Sequence, residues 1–401
     1  MGGDYSRSRF DPRKHYAAVL MQQGRVLLDS DWNEGEAIRA HVWRTFVRDV
    51  LGPSAFPGAT DGAGAFAVNT DGRRVTIGAG HAWIDGLLCE IEQEVDAEAQ
   101  PDLPNASLPT ESGVFVAYLD VWQREVTTAE DPSIVEPALG GVDTMTRLAT
   151  VWQVRWKRAP SHEGTGVPDE APDRLISPDT TDARLAARGQ YVGLENELYR
   201  VEIHDGGRPR TATLKWSRDN GSTVAAVRSW TPRELRIEPA REPTFASRDL
   251  LEVVDRVTIL DRRPGRFVEV GRVVGDLVQL ASTSPDVPAA LVKPLVRRWD
   301  AAPIALSGRE KNAWLPLDDG VEVRLYGRHF RPGDYWTFPV RTASLEAPGT
   351  LEWPIKRGRP EPRPPQGVAH ARCPLAVLEH DERGWRVLRD LRGGSRPVGQ
   401  F

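Results

Sequence analysis

The chain has 401 residues, 40% of them hydrophobic and 27% charged, with a formal net charge of −5. That balance belongs to an ordinary globular protein of up to two or three domains, and its mild acidity excludes a basic field for nucleic acid or anionic membranes. No run approaches the ~18 apolar residues of a membrane span, and MGGDYSRSRF lacks the apolar stretch of a signal peptide, so the expectation is a soluble chain, cytoplasmic when made.

In chain order, the first pattern is the apolar segment HYAAVLMQQGRVLLD, interrupted at Gly24. It runs into LLDSDWNEG, residues 27–35, where Asp29, Asp31 and Asn33 alternate as in a calcium loop of the EF-hand type. Such a loop needs glycine at its sixth position and glutamate at its twelfth, and here those places hold Glu34 and Ala40. Helix chemistry fits better. Ile38, Val42, Phe46 and Val50 recur at four-residue steps, with Trp43 and Val47 alongside, which predicts a helix from Trp32 to Leu51. Asp31 and Glu34 then form a capping box at its start, and Gly52-Pro53 stops it.

After the helix the period changes to two. Residues 73–95 read as three short strands with a tight Asp85-Gly86 turn, and 113–127 and 147–157 alternate as longer strands, Trp152, Val154 and Trp156 sharing a face. Residues 128–146 read as a long ordered loop, and 161–188 as a linker or excursion. A second β-rich block over 189–300 carries an Asp205-Gly206 turn and an Asn220-Gly221 turn, the latter predicting a hairpin within 211–227. Residues 301–401 read as C-terminal hairpins around a Pro/Arg segment, 354–367, too proline-rich to enter a sheet. The predicted fold is mainly β: an N-terminal segment and helix (1–57), a β-rich domain (58–160), and further small sandwich- or barrel-like units.

Chemistry is sparse. His370 and Cys373 stand at zinc-ligand spacing, but no second close pair completes the set, so no metal is expected. Cys89 and Cys373 are expected to be free thiols. No nucleophile elbow, phosphate loop, metalloprotease motif or dinucleotide fingerprint is present, so the reading names no cofactor and no catalytic residue. A polar site, if there is one, would gather His204, Asp205, Arg218 and Asp219; turn chemistry explains the same residues. Tyr335 and Trp336, with Trp216, are candidates for a stacking platform, against a packing role at a sheet margin.

Several long blocks resemble one another's counterparts in a single uncharacterised bacterial family: MGGDYSRSRFDPRKHYAAVLMQQGRVLLDSDWNE, EPALGGVDTMTR, ENELYRVEIHDGG, LKWSRDNGS, and GDYWTFPVRT with LEWP. The resemblance runs from about residue 1 to about 380. It implies an association with phage-tail-like contractile injection systems, whose baseplate and tail genes often lie near those of the family. The expected role is therefore assembly, at the baseplate or spike end, with other particle proteins (baseplate, spike or tube) as partners, in an assembled or released particle. Self-association stays open. The expected contact residues are Tyr5, Arg7, Phe10, His15, Tyr16 and Trp32, with Tyr335 and Trp336. The alternatives are a carbohydrate- or surface-binding module, and a hydrolase or toxin cargo of such a particle.

Overall fold

The computed structural model describes residues 3–60, 62–159, 172–177, 181–238, 245–284, 287–288, 290–306, 313–345 and 347–393. The protein is mainly β and is built around three apolar cores.

The first core is organised by two long strands, Gly113–Val126 and Arg147–Arg158, which pair antiparallel along their whole length. Ala371–Asp381 pairs with the other edge of Gly113–Val126, and Gly384–Asp390 completes a four-stranded sheet. Phe115, Leu119, Val154 and Leu378 from this sheet share a core with Ile77 and Ile84 from two smaller three-stranded sheets and with Phe56 and Phe66 from the loops beside them. The expected shared face is present: Trp152 and Val154 lie in the core and Trp156 packs against it.

The second core lies between a five-stranded sheet and a three-stranded one. The first has the order Ile304–Ala305, Thr213–Ser217, Glu197–Ile203, Tyr335–Arg341, Thr350–Leu351; the second joins Leu315–Pro316, Val321–Tyr326 and Arg184–Gly189. Tyr199 stacks between Trp216 and Phe338, with ring centroids 5.8 and 5.7 Å away. The third core fills a closed barrel ordered Val224–Thr231, Glu234–Ile237, Leu277–Leu280, Arg266–Val274, Leu250–Val254, Leu295–Trp299, with Leu235, Leu251, Val270 and Val296 inside. Closure leaves that unit without a free sheet edge.

The chain does not divide as its sequence blocks suggest. Strands from 301–401 are not a separate unit: Tyr335–Arg341 pairs with Glu197–Ile203, and Ala371–Asp381 with Gly113–Val126. The block 189–300 likewise splits between the second body and the barrel. Its Asn220-Gly221 turn has both residues at positive φ, 57° and 61°, as a tight turn requires. Yet the flanking strands do not pair with each other. Thr213–Ser217 stays in the five-stranded sheet while Val224–Thr231 enters the barrel, because each finds its apolar partners there. The Pro/Arg segment also departs from expectation. It forms a small hairpin, Ile355–Lys356 with Arg359–Pro360, and the Arg363 and Leu185 backbones exchange hydrogen bonds of 2.9 and 2.8 Å. Of the excursion 161–188, residues 161–171 and 178–180 lie outside the described residues; Pro172–Ile176 is a short helix that buries Ile176 beside Val116 and Tyr118. The loop 128–146 is ordered by two 3-10 turns, Pro132–Ile134 and Pro137–Leu139, capped by Asp131 and Glu136.

The N-terminal helix is Asp29–Leu51, so it starts three residues before the expected Trp32. Its N-cap is Leu28, which supplies no side-chain hydrogen bond. The predicted capping box of Asp31 and Glu34 is therefore displaced. Asp31 lies inside the first turn, where it pairs with Arg9 at 3.0 Å, and Asp29 takes the Ser6 N–H and hydroxyl at 2.8 and 2.7 Å. The preceding chain, rather than a local box, occupies the carboxylates at this helix start.

Candidate functional site

Two regions combine unusual chemistry with a position set by the fold. The first is the N-terminus. Residues 3–9 run across the body and touch several parts of it. The Gly3 carbonyl accepts from Asn220 Nδ2 at 2.7 Å, Tyr5 donates to Glu125 and lies 2.7 Å from the Thr146 hydroxyl, and Arg7 pairs with Glu352 at 3.1 Å. Arg341 donates to the Ser6 carbonyl at 3.1 Å. The Tyr5 hydroxyl is pushed well above the usual tyrosine range, by burial first and then by the Glu125 carboxylate. Tyr5 and Arg7 are thus committed to holding the chain's own start.

Beyond that clamp the chemistry reverses. From His15 to Leu28 the chain is exposed and lies in no helix or strand. Its N–H groups donate a single backbone hydrogen bond past His15, Arg25 N to the Gln22 carbonyl, among the described residues. Leu20 is 83% and Met21 77% exposed, and Tyr16 and Val26 are also in the open. The helix adds to this surface. Ile38 and Val47 are buried, whereas Trp32, Val42, Trp43, Phe46 and Val50 face outward, Phe46 at 55%. Only part of the predicted apolar stripe therefore has a partner within the chain. Phe10 packs on His41 with centroids 5.5 Å apart, and Trp43 meets Trp83 edge-on at 5.8 Å. Arg44 and Arg48 tie the helix to Asp85 at 2.7 and 3.1 Å.

The candidate stacking platform does not reach this surface. Trp336 is fully buried and Tyr335 nearly so; the Trp336 indole N–H donates to the Arg363 carbonyl at 2.9 Å, and Arg200 lies over the Tyr335 ring at 3.8 Å. Trp216 is part of the second core. These rings pack, as core aromatics do, and have no open face for a sugar.

The four candidate polar residues do not converge either. His204 N–H donates to the Thr213 carbonyl, so Arg218 lies five residues further along that strand, roughly 16 Å away by strand rise. Asp205 accepts from Thr213 Oγ1 at 2.7 Å, Asp219 pairs with Arg298 at 2.7 Å, and Arg218 is held by Asp300 at 3.0 Å. His370 and Cys373 also part. His370 Nδ1 meets Asp120 Oδ1 at 2.7 Å, while Cys373 is buried in the first core. Among the described residues no group of three or more His, Cys, Asp or Glu could hold a metal ion.

The second region was not foreseen. Where the three bodies meet, Glu202, Lys215 and Glu252 form a buried ionic chain. Lys215 Nζ lies 2.7 and 2.6 Å from the two Glu252 oxygens and 3.2 Å from Glu202, which Arg200 holds from its other side. The Trp299 indole and the Gly265 N–H complete Glu252 at 2.8 and 3.0 Å. Burial would raise the Glu252 carboxyl, but Lys215, with His204 beside it, outweighs burial and lowers the carboxyl to about 2. Each member sits alone on its own strand in sequence, so no local motif announces the cluster.

The same junction holds a half-open cavity of about 210 Å³ lined by Arg124 and Glu125 from the first body, His204 and Lys215 from the second, and residues around Arg262 and Arg297 from the barrel. No curated protein and no solved structure matches the chain. A sequence profile does match it, over residues 1–163 and 173–284, and the chain therefore belongs to DUF6519, a family of unknown function.

Proposed function

We propose that the protein is an assembly component of a phage-tail-like contractile particle, placed at the baseplate or spike end, and that it acts by docking rather than by catalysis. One observation carries this reading: the exposed apolar surface that runs from Tyr16 through Leu28 onto the outer face of the helix Asp29–Leu51. Contiguous apolar surface of this kind marks a protein contact. The extended strap offers unpaired backbone to a partner sheet edge, and the helix offers an amphipathic face to a groove. The family match supports shared ancestry with uncharacterised proteins; the placement in a contractile particle comes from the resemblance of the sequence blocks.

The test is co-expression with the baseplate, spike and tube proteins of a contractile particle, followed by co-sedimentation. Association is expected for the native chain and is expected to fail when Leu20, Met21 and Phe46 are replaced by Asp. Intact, fully loaded particles from a strain lacking the protein would refute the role.

A further inference from the structure

The cavity at the junction of the three bodies is lined by one cation, Arg262, that no described side chain pairs. Six Arg or Lys side chains line it against four Glu. All four glutamates are engaged: Glu125 by Tyr5, Glu130 by Arg124 at 2.6 Å, Glu202 by Arg200 and Lys215, and Glu252 by Lys215. Arg262 stands apart. It follows the short helix Arg256–Leu260 at φ 53° and lines the cavity, making no side-chain hydrogen bond or ion pair with a described residue. The anion that acts on it most strongly, Asp120, is already held by His370 at 2.7 Å and Arg372 at 3.2 Å. Burial, and the neighbouring Arg331 and Arg372, disfavour the Arg262 charge.

A second, independent feature is on the same walls. Arg124 Nε, Glu125 Oε2, Thr127 Oγ1 and His204 Nδ1 are buried without a hydrogen-bond partner among the described residues, the last of them 3.5 Å from Glu252 Oε1. Buried polar atoms left unpaired are uncommon, and four on one lining call for something polar to complete them. Three are donors or can donate, and one, Glu125 Oε2, can only accept while ionised.

We propose that this cavity binds a phosphate group, free or carried on a small ester, with Arg262 as its receptor cation. A hydrogen phosphate presents acceptor oxygens to Arg262 and an O–H to Glu125 Oε2, whereas sulfate and chloride present no proton. A guanidinium suits such a ligand through paired, charge-assisted hydrogen bonds. Bound there, the anion would touch all three bodies and tie them together. The site does not depend on the docking role.

The experiment is calorimetric titration of the full chain with inorganic phosphate and with glycerol phosphate, in a potassium chloride background and with sulfate as comparison. Saturable binding of either phosphate, tighter than sulfate, is expected; whichever of the two binds better identifies the source as free or esterified. Arg262→Gln should weaken it roughly ten- to a hundredfold, as loss of a charge-assisted contact implies, and Arg262→Lys by less. Arg266→Gln, at an exposed cation outside the lining, serves as the control for general charge. The unliganded Arg262→Gln protein should melt no lower than the native one, because it loses a cation that nothing pairs. Absence of binding, equal binding of sulfate, or undiminished binding by Arg262→Gln would each overturn the proposal.

Discussion

Lys215 and Glu252 meet as an ion pair at the junction of the second body and the barrel, with both side chains about 5% exposed and both carboxylate oxygens within 2.7 Å of the ammonium. The pair links two separately closed hydrophobic cores through charge. Removing one partner strands the other in low dielectric, which typically costs about 3–5 kcal/mol. Lys215→Met should lose stability on that scale, since it orphans Glu202 as well as Glu252. The double variant Lys215→Met, Glu252→Gln should recover part of the loss. Urea unfolding of the two proteins checks both statements.

The same pair sets a pH dependence. Glu252 is lowered from 4.5 to about 2 in the fold, so its contribution is fully present above pH 4.5 and is lost as pH falls toward 2. The melting temperature should therefore drop through that window. Glu252→Gln should flatten the drop, while being less stable at neutral pH.

Cys89 and Cys373 are both buried, and burial pushes their thiols up to about 12 and 11. A thiolate is the reactive form, so neither should react with a disulfide reagent at pH 8 in the folded protein. Both should react once guanidinium unfolds it. Counting released chromophore with and without denaturant gives the answer.

Exposed and buried aromatics should respond in opposite ways. Phe46→Ser, on the outer helix face, should change stability by no more than about 0.5 kcal/mol while weakening co-sedimentation with the particle proteins. Trp336→Ala, in the second core, should cost about 3–5 kcal/mol, and a glycan array should stay flat for the native chain. Chemical denaturation distinguishes the two substitutions.

How far the sequence is a guide depends on the range of the interaction. Alternation along 113–126 and 147–158 is a local property, and those strands form as expected and pair with each other. The Asn220-Gly221 turn was also legible, since only its own backbone needs positive φ. Which strands it joined was not, because Thr213–Ser217 pairs with Glu197–Ile203 while Val224–Thr231 pairs with Leu295–Trp299. The capping box at Asp31 and Glu34 failed for a related reason: Ser6 and Arg9, more than twenty residues earlier, take the carboxylates at the helix start. The junction cavity was the least legible feature. Its charges come from positions scattered from Arg124 to Arg297, and only the tertiary pairing assembles them.

The clasp of Ser6 on Asp29, with Arg9 on Asp31 beside it, closes the exposed run between them into a ring. A free tail of the same composition would surrender much of its chain entropy on capture, whereas a ring pinned at both feet has already surrendered part of it during folding. A partner would therefore meet something closer to a handle than to a tether: a single nick at its crest would leave both feet attached.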